Sequence, residues 1–114
     1  MKLPNAQRAV IDLRKLRDYA LNPNHGRGRH KARVFFAALG LTADDAENFR
    51  QILINVALEK DADIGERDHY GQRFVIDFEM SGPTGRAVVR SGWIIRAVED
   101  FPRLTSCYVI EESE

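Results

Sequence analysis

The residues best suited to chemistry lie together in one short segment, His25-Gly-Arg-Gly-Arg-His-Lys-Ala-Arg33, called here the basic segment. It contains two histidines and four cationic side chains. Imidazole exchanges protons near neutral pH, and guanidinium and ammonium groups bind phosphate. The segment therefore combines residues that could hold a phosphodiester with residues that could transfer protons during its cleavage.

Two functional interpretations of the basic segment follow. In the first, its glycines let the backbone approach a phosphate at the start of a helix, and its arginines and lysine supply charge. In the second, His25 or His30 also acts as the base or acid of metal-free RNA cleavage. The simpler alternative is a basic helix start with His30 on its solvent side. The spacing G-x-x-x-x-G-K-[ST] is missing, so the segment is not a nucleotide-binding P-loop.

The charges of the chain are divided between its two parts. Residues 1–36 contain nine basic and two acidic residues, a net charge of +7. The other 78 residues contain eight basic and 15 acidic residues, a net charge of −7, so the chain as a whole is neutral. The basic part is expected to bind RNA, another polyanion or an acidic protein surface. The opposite charges also allow head-to-tail association, so a homodimer is a further hypothesis.

Helices are expected in the first half of the chain. Apolar residues spaced three and four apart predict a helix over 4–21, although residues 9–11 could instead be extended. A second helix is predicted over 29–39, ended by Gly40. The third is predicted to begin at a capping box formed by Thr42 and Asp45 and to end near residue 59.

Strands are expected in the second half, because the apolar period changes to two after residue 62. A weak strand is predicted over 62–68, and further strands over 73–80, 86–97 and 103–110; residues 111–114 form a short acidic tail. Helices followed by strands predict an α+β fold, with about three N-terminal helices on one face of a three- to four-stranded antiparallel meander. The length of 114 residues predicts one domain, 1–114.

Arginines are predicted on the sheet face that the helices leave open. If Phe74, Ile76 and Trp93 face the helices, alternation turns other side chains outward. The outward set is Arg73, Arg90, Arg96 and, by the same argument, Arg103 with Thr105. Such a face could bind phosphates, or the arginines could only keep the sheet soluble. Strict alternation places Tyr108 on the opposite side from Thr105 unless a bulge intervenes.

Several classes of protein are excluded by composition. No apolar segment reaches the roughly 18–20 residues of a membrane span. The N-terminus lacks the apolar core of a signal peptide, so a cytoplasmic location without membrane contact is expected. The single cysteine, Cys107, excludes an internal disulfide and is expected to be a buried strand residue. No spacing of zinc or calcium ligands is present, so neither a metal nor another cofactor is predicted.

Parts of the chain resemble a small bacterial domain family of unknown function. The first parts are Lys15-Leu-Arg-Asp-Tyr-Ala-Leu-Asn22, the residues from Pro23 to Phe35, and Ala38-Leu-Gly40. Later similar parts are Tyr70-Gly71, Gly82-Pro-Thr-Gly-Arg86, Trp93 and Pro102-Arg-Leu-Thr-Ser-Cys-Tyr108. The resemblance covers nearly the whole chain and implies a fold more than an activity.

The order of helices and strands is also similar to the barnase–EndoU–colicin–RelE group of metal-independent RNases, which are common as bacterial toxins. In that group a His or Lys near the helices works with Arg and Ser or Thr residues from the sheet. The similarity is one of layout rather than of motif. By position it implies these candidates, of which all but Arg103 are predicted to be catalytic: His25, His30, Lys31, Arg73, Arg90, Arg103 and Thr105. The residues predicted to bind nucleic acid are Arg27, Arg29, Lys31, Arg33 and Arg103.

The sequence therefore predicts an RNA-binding domain that could be a metal-independent RNase of the bacterial toxin type. The alternative is a non-catalytic module, such as an immunity protein, antitoxin or inhibitor, that docks a protein through its charged surface. A nuclease requires a cleft in which His25 or His30 meets Arg73, Arg90 or Thr105.

Overall fold

The computed structural model describes residues 1–110, so the predicted acidic tail, 111–114, lies outside the described residues. Helical elements come first and strands last, as the sequence predicts. The helical elements are a 3-10 turn at Ala6–Arg8, a π-helical segment at Lys15–Ala20, α1 at Arg29–Leu39, a 3-10 turn at Ala43–Asp45, and α2 at Ala46–Glu59. The strands are β1 at Asp63–Asp68, β2 at Gly71–Gly82, β3 at Gly85–Arg96 and β4 at Pro102–Val109.

The first predicted helix is interrupted by an extended segment. The N–H of Val10 donates to the carbonyl of Pro102 at 2.9 Å, and the N–H of Leu104 donates to the carbonyl of Val10 at 3.0 Å. This segment therefore lies along the free edge of β4, whose backbone groups need hydrogen-bond partners. A continuous helix over 4–21 is not formed, and the extended alternative for residues 9–11 is confirmed.

The other two helices begin and end close to their predicted positions. Gly40 ends α1 in the left-handed conformation, with φ of 74°, and its N–H donates to the carbonyl of Phe36. The capping box is present: the N–H of Thr42 donates to Asp45 at 2.8 Å, and the N–H of Asp44 donates to the Thr42 hydroxyl at 3.3 Å. The residues that follow Thr42 within this box, Ala43–Asp45, form a 3-10 turn, so α2 begins at Ala46.

The four strands form an antiparallel meander in the order β1-β2-β3-β4. The fold is α+β, and the sheet has four strands. β2 and β3 are joined by the tight turn at Pro83 and Thr84, because Gly82 already pairs with Gly85. All six residues of β1 are exposed, so this strand is an edge with little packing behind it.

The core lies between the helices and one face of the sheet. Phe74 pairs with Trp93 across β2 and β3, and both are buried against the helices, as predicted. The hydroxyl of Ser91, buried in the same region, donates to the carbonyl of Ile76 at 2.9 Å and accepts from Trp93 Nε1 at 3.0 Å. The indole N–H therefore has a partner inside an apolar core. Cys107 is buried on the same sheet face.

Across residues 1–110, none of the helices combines the length and the apolar character that a membrane span requires.

Candidate functional site

The open face of the sheet displays the arginines that alternation predicts, but each has a carboxylate partner. Arg90 makes two hydrogen bonds with Asp77, at 2.8 and 2.9 Å. Arg103 makes two with Glu99, at 2.8 and 2.7 Å. The remaining ion pairs are those of Arg73 with Asp68 at 3.7 Å, Arg96 with Glu99 at 3.9 Å and Arg86 with Glu79 at 3.3 Å. The positive charge of this face is therefore compensated locally, which weakens it as a surface for a polyanion.

Arg90 lies in the middle of a row that crosses three strands. It pairs in register with Asp77 on β2 and with Tyr108 on β4. The hydrogen bonds to Asp77, and then the contact with Tyr108, raise the pKa of Arg90 above its usual value. Asp77 thus holds the guanidinium in one place on the open face.

A bulge in β4 turns two adjacent hydroxyl groups to the open face. Gly92 pairs with Ser106 and Trp93 pairs with Leu104, which leaves Thr105 as the extra residue. A methyl group on Gly92 would lie 2.9 Å from the Ser106 Oγ and 3.0 Å from the Thr105 Oγ1. Both hydroxyls therefore lie over Gly92, on the side where Tyr108 faces Arg90. The bulge places Thr105 and Tyr108 on one face, which strict alternation would have kept apart.

Two lysines stand beside these hydroxyls in a groove of about 430 Å³, called here the lysine groove. Its lining residues are Asp12, Arg14, Lys15, Tyr19, Lys31, Thr105 and Ser106. Within residues 1–110 no carboxylate lies within 4.0 Å of the ammonium group of either lysine. The one acid in the groove, Asp12, is bound by Arg14 at 3.0 and 3.2 Å, which holds the pKa of Asp12 below its usual range. The lysine groove therefore presents two ammonium groups that form no salt bridge within residues 1–110, together with two hydroxyl donors.

A second groove, of about 350 Å³, continues from the first and is called here the histidine groove. Its lining residues are His30, Lys31, Val34, Arg90, Tyr108, Val109 and Ile110. The two grooves are joined by Lys31, whose Nζ lies 4.9 Å from the centre of the Tyr108 ring. His30 and Arg90 therefore share one surface with Lys31. Thr105 lies in the adjacent lysine groove, which Lys31 also lines. Four of the six predicted catalytic residues lie along this continuous groove.

His25 and Arg73, the other two predicted catalytic residues, line neither groove. The Nδ1 of His25 accepts from the N–H groups of Arg27 at 3.1 Å and Gly28 at 3.0 Å. Its ring packs edge-on against Tyr19, with centroids 4.6 Å apart. His25 thus shapes the turn that leads into α1.

The glycines of the basic segment do not form a phosphate cradle. Gly28 is buried, and a methyl group there would lie 2.4 Å from the carbonyl oxygen of Tyr19. Its missing side chain therefore allows the turn to pack on the π-helical segment. The N–H groups of Arg27 and Gly28 are already used by His25, which corrects the expectation that this backbone is free for an anion.

The predicted nucleic-acid-binding residues lie in different places. Arg27 and Arg29 are exposed at the start of α1. Arg33, further along the helix, lines a third groove together with His30. Arg103 is held by Glu99 and stacks over Phe101, with its guanidinium carbon 5.0 Å from the ring centre. Only Lys31 of this set lies in the lysine groove.

Burial raises the pKa of Cys107, which lies beside the lysine groove, to about 12, although Lys31 and Lys15 oppose the shift. The thiol is therefore unsuited to act as a nucleophile. In the part of the chain that the structure describes, no three His, Cys, Asp or Glu side chains are grouped closely enough to hold a metal ion.

The profile of a family described as "Domain of unknown function (DUF6883)" matches residues 2–111. The chain belongs to this family. It matches no curated protein. In fold it is similar to a chain of the contact-dependent growth inhibition toxin–immunity protein complex from Klebsiella pneumoniae 342, with a TM-score of 0.61 and 15% sequence identity. The similarity covers 89% of this chain and 99% of that chain, and at this identity it shows a shared fold.

Among the lysine and hydroxyl-bearing side chains that line the two grooves of this DUF6883 member, sequence reasoning missed four as site residues: Lys15, Tyr19, Ser106 and Tyr108. For Lys15 the sequence indicated only a position on the basic surface of a helix. Ser106 and Tyr108 reach the same face as Thr105 through the bulge. The bulge does leave a local signal, because Thr105 and Ser106 are adjacent polar residues between Leu104 and Cys107, which breaks the period of two.

Proposed function

We propose that the chain binds single-stranded RNA in the lysine groove and cleaves it, without a metal ion, where that groove meets the histidine groove. One observation carries the proposal. Lys15 and Lys31 have no carboxylate partner within residues 1–110, and they stand beside the hydroxyls of Thr105 and Ser106. The arginines of the open sheet face, by contrast, are all paired with acids.

The donor set of the lysine groove suits a phosphodiester. The two ammonium groups supply charge, and the hydroxyls can donate to the non-bridging oxygens. Exposed Tyr19 lines the lysine groove and offers a ring surface on which an unpaired base can stack. Such stacking needs bases that are free of a duplex, which favours single-stranded RNA as the substrate.

The histidine groove supplies candidates for the chemical step. In metal-free RNA cleavage a base removes the proton of the 2′-hydroxyl, and the 2′-oxygen attacks the phosphorus. An acid then protonates the departing 5′-oxygen, which leaves a 2′,3′-cyclic phosphate and a 5′-hydroxyl. We assign the proton transfer on one side to His30. Lys31 lies beside it and would stabilise the negative charge that develops on the phosphate oxygens.

The test is incubation of the purified chain with a labelled single-stranded RNA in EDTA, between about pH 5 and 8. Cleavage is expected with a 2′,3′-cyclic product, and His30→Ala should abolish it. His69→Ala is the matched control, because His69 lies in the exposed turn between β1 and β2. Equal cleavage by the wild type and His30→Ala would refute the role of His30. Absence of cleavage by the wild type would refute the catalytic part of the proposal.

The second candidate is a protein-binding module such as an immunity protein, antitoxin or inhibitor. The observation that favours it is the fold shared with a chain of a toxin–immunity protein complex, together with the compensated charges of the open sheet face. In this case charge reversal at Arg27, Arg29 and Lys31 should remove binding of an acidic protein partner. His30→Ala should leave that binding unchanged, and no RNA should be retained.

A further inference from the structure

A third groove opens from the histidine groove and is much larger, about 930 Å³. It lies between α1 and the adjacent strands β3 and β4, and is called here the apolar groove. It shares His30, Val34, Val109 and Ile110 with the histidine groove, so the two form one continuous depression. Its volume lies within the roughly 300–1,000 Å³ of small-molecule sites. Whatever binds at His30 therefore has direct access to a cavity of ligand size.

We infer that the apolar groove is a base-binding site, which holds one nucleobase of the RNA next to the phosphate that is cleaved. The inference rests on the proposed function and deepens it. The apolar groove would then recognise the base, whereas the lysine groove would recognise the phosphate.

The groove has the walls that a flat aromatic ring requires. Ala37 and Ala38 on α1 and Ala87 on β3 line it, and their short side chains leave room between the helix and the sheet. Val34 and Val109 supply an apolar surface on which a ring loses contact with water. The groove is thus shaped by small and branched apolar residues, without a side chain that fills it.

The rim of the groove carries hydrogen-bond donors. Its polar side chains are His30, Arg33 and Arg86. Arg86 is paired with Glu79 at 3.3 Å, whereas no carboxylate of residues 1–110 lies within 4.0 Å of Arg33. Guanidinium groups bind the carbonyl and ring-nitrogen acceptors of bases, most often those of guanine. A nucleobase can pack its ring against the apolar walls and accept hydrogen bonds from the rim, whereas a bare phosphate has no apolar surface to pack there.

The experiment compares two probes that differ only in their bases. One is a fluorescein-labelled single-stranded deoxyoligonucleotide, which lacks the 2′-hydroxyl needed for cleavage. The other is an oligomer of the same length built from abasic tetrahydrofuran units. Their dissociation constants are measured for the full chain, for Ala37→Leu, and for Gln51→Leu. Ala37 is exposed on α1, so leucine there narrows the groove without altering the core. Gln51→Leu places the same side chain at an exposed position of α2, outside all three grooves.

We expect the wild type to bind the base-containing probe roughly tenfold more tightly than the abasic one. Ala37→Leu should reduce this difference, with stacking on Tyr19 supplying what remains, and should leave the affinity for the abasic probe unchanged, whereas Gln51→Leu should change neither affinity. Equal affinity of the wild type for both probes, or a difference that is as large in Ala37→Leu as in the wild type, would overturn the base-binding site while leaving the phosphate site in place. Failure of the wild type to bind either probe would overturn the proposed function together with it.

Discussion

Removal of both lysines from the lysine groove should change how RNA binding depends on salt. Each cation that contacts a phosphate releases condensed counterions, which gives log K against log salt a slope of about −0.7 per contact for single strands. Lys15 and Lys31 both line the groove and have no acidic partner in residues 1–110. If each contacts one phosphate, Lys15→Ala/Lys31→Ala should make the slope shallower by about 1.4.

The slope is measured by fluorescence anisotropy of an uncleavable labelled deoxyoligonucleotide across a series of salt concentrations. The matched control is Lys60→Ala/Arg67→Ala, which also removes two positive charges. Both control residues are exposed and line none of the grooves described above. This control separates local phosphate contacts from the net charge of the molecule. Thermal unfolding of each variant shows whether the fold is intact.

The control variant should keep the wild-type slope of log K against log salt, and the slope of the lysine variant should be shallower by about 1.4. Identical slopes for the wild type and the lysine variant would show that neither lysine contacts a phosphate. An equal loss in the control variant would attribute the effect to net charge, and the lysine groove would no longer be the binding site.

Three further predictions concern the fold that positions the groove. Ser91→Ala leaves the buried indole N–H without its acceptor, and should lower the free energy of unfolding in urea by about 1–3 kcal/mol; an unchanged midpoint would contradict this. Gly28→Ala should cost a similar roughly 1–3 kcal/mol, because the added methyl meets a carbonyl 2.4 Å away, whereas Gly26→Ala, with open space around it, serves as the neutral control. Cys107 should react with a thiol reagent only after denaturation, since burial raises its pKa to about 12; rapid labelling of the native chain would show that this part of β4 opens.

Local patterns predicted most of the elements. The periods of three to four and of two, with Gly40 and the capping box, locate α1, α2 and the strands within a few residues. The first helix is the exception. Residues 9–11 are apolar enough for a helix, but β4 has a free edge that needs backbone partners. That competition involves residues about 90 positions apart in the chain, so no local pattern reports it.

The candidate site was predictable only in part. The alternating pattern correctly predicted that Arg90 and Arg103 face the open side of the sheet, because side-chain direction in a strand is a local property. It could not show that Asp77 and Glu99 neutralise them, because such pairs depend on strand register and on how the chain folds back between strands. The role of His25 was equally hidden, since its hydrogen bonds to the turn require the turn geometry itself.

By itself the sequence determined the division of charge, the order of helices before strands, and the composition of the basic segment. These depend on residue types and on short-range spacing. Only the tertiary structure decided which cations remain without acidic partners, because pairing depends on distances between strands and helices. It also decided which hydroxyls meet Lys31, since one extra residue in β4 shifts the alternation and brings Ser106 and Tyr108 to the face on which Thr105 was predicted.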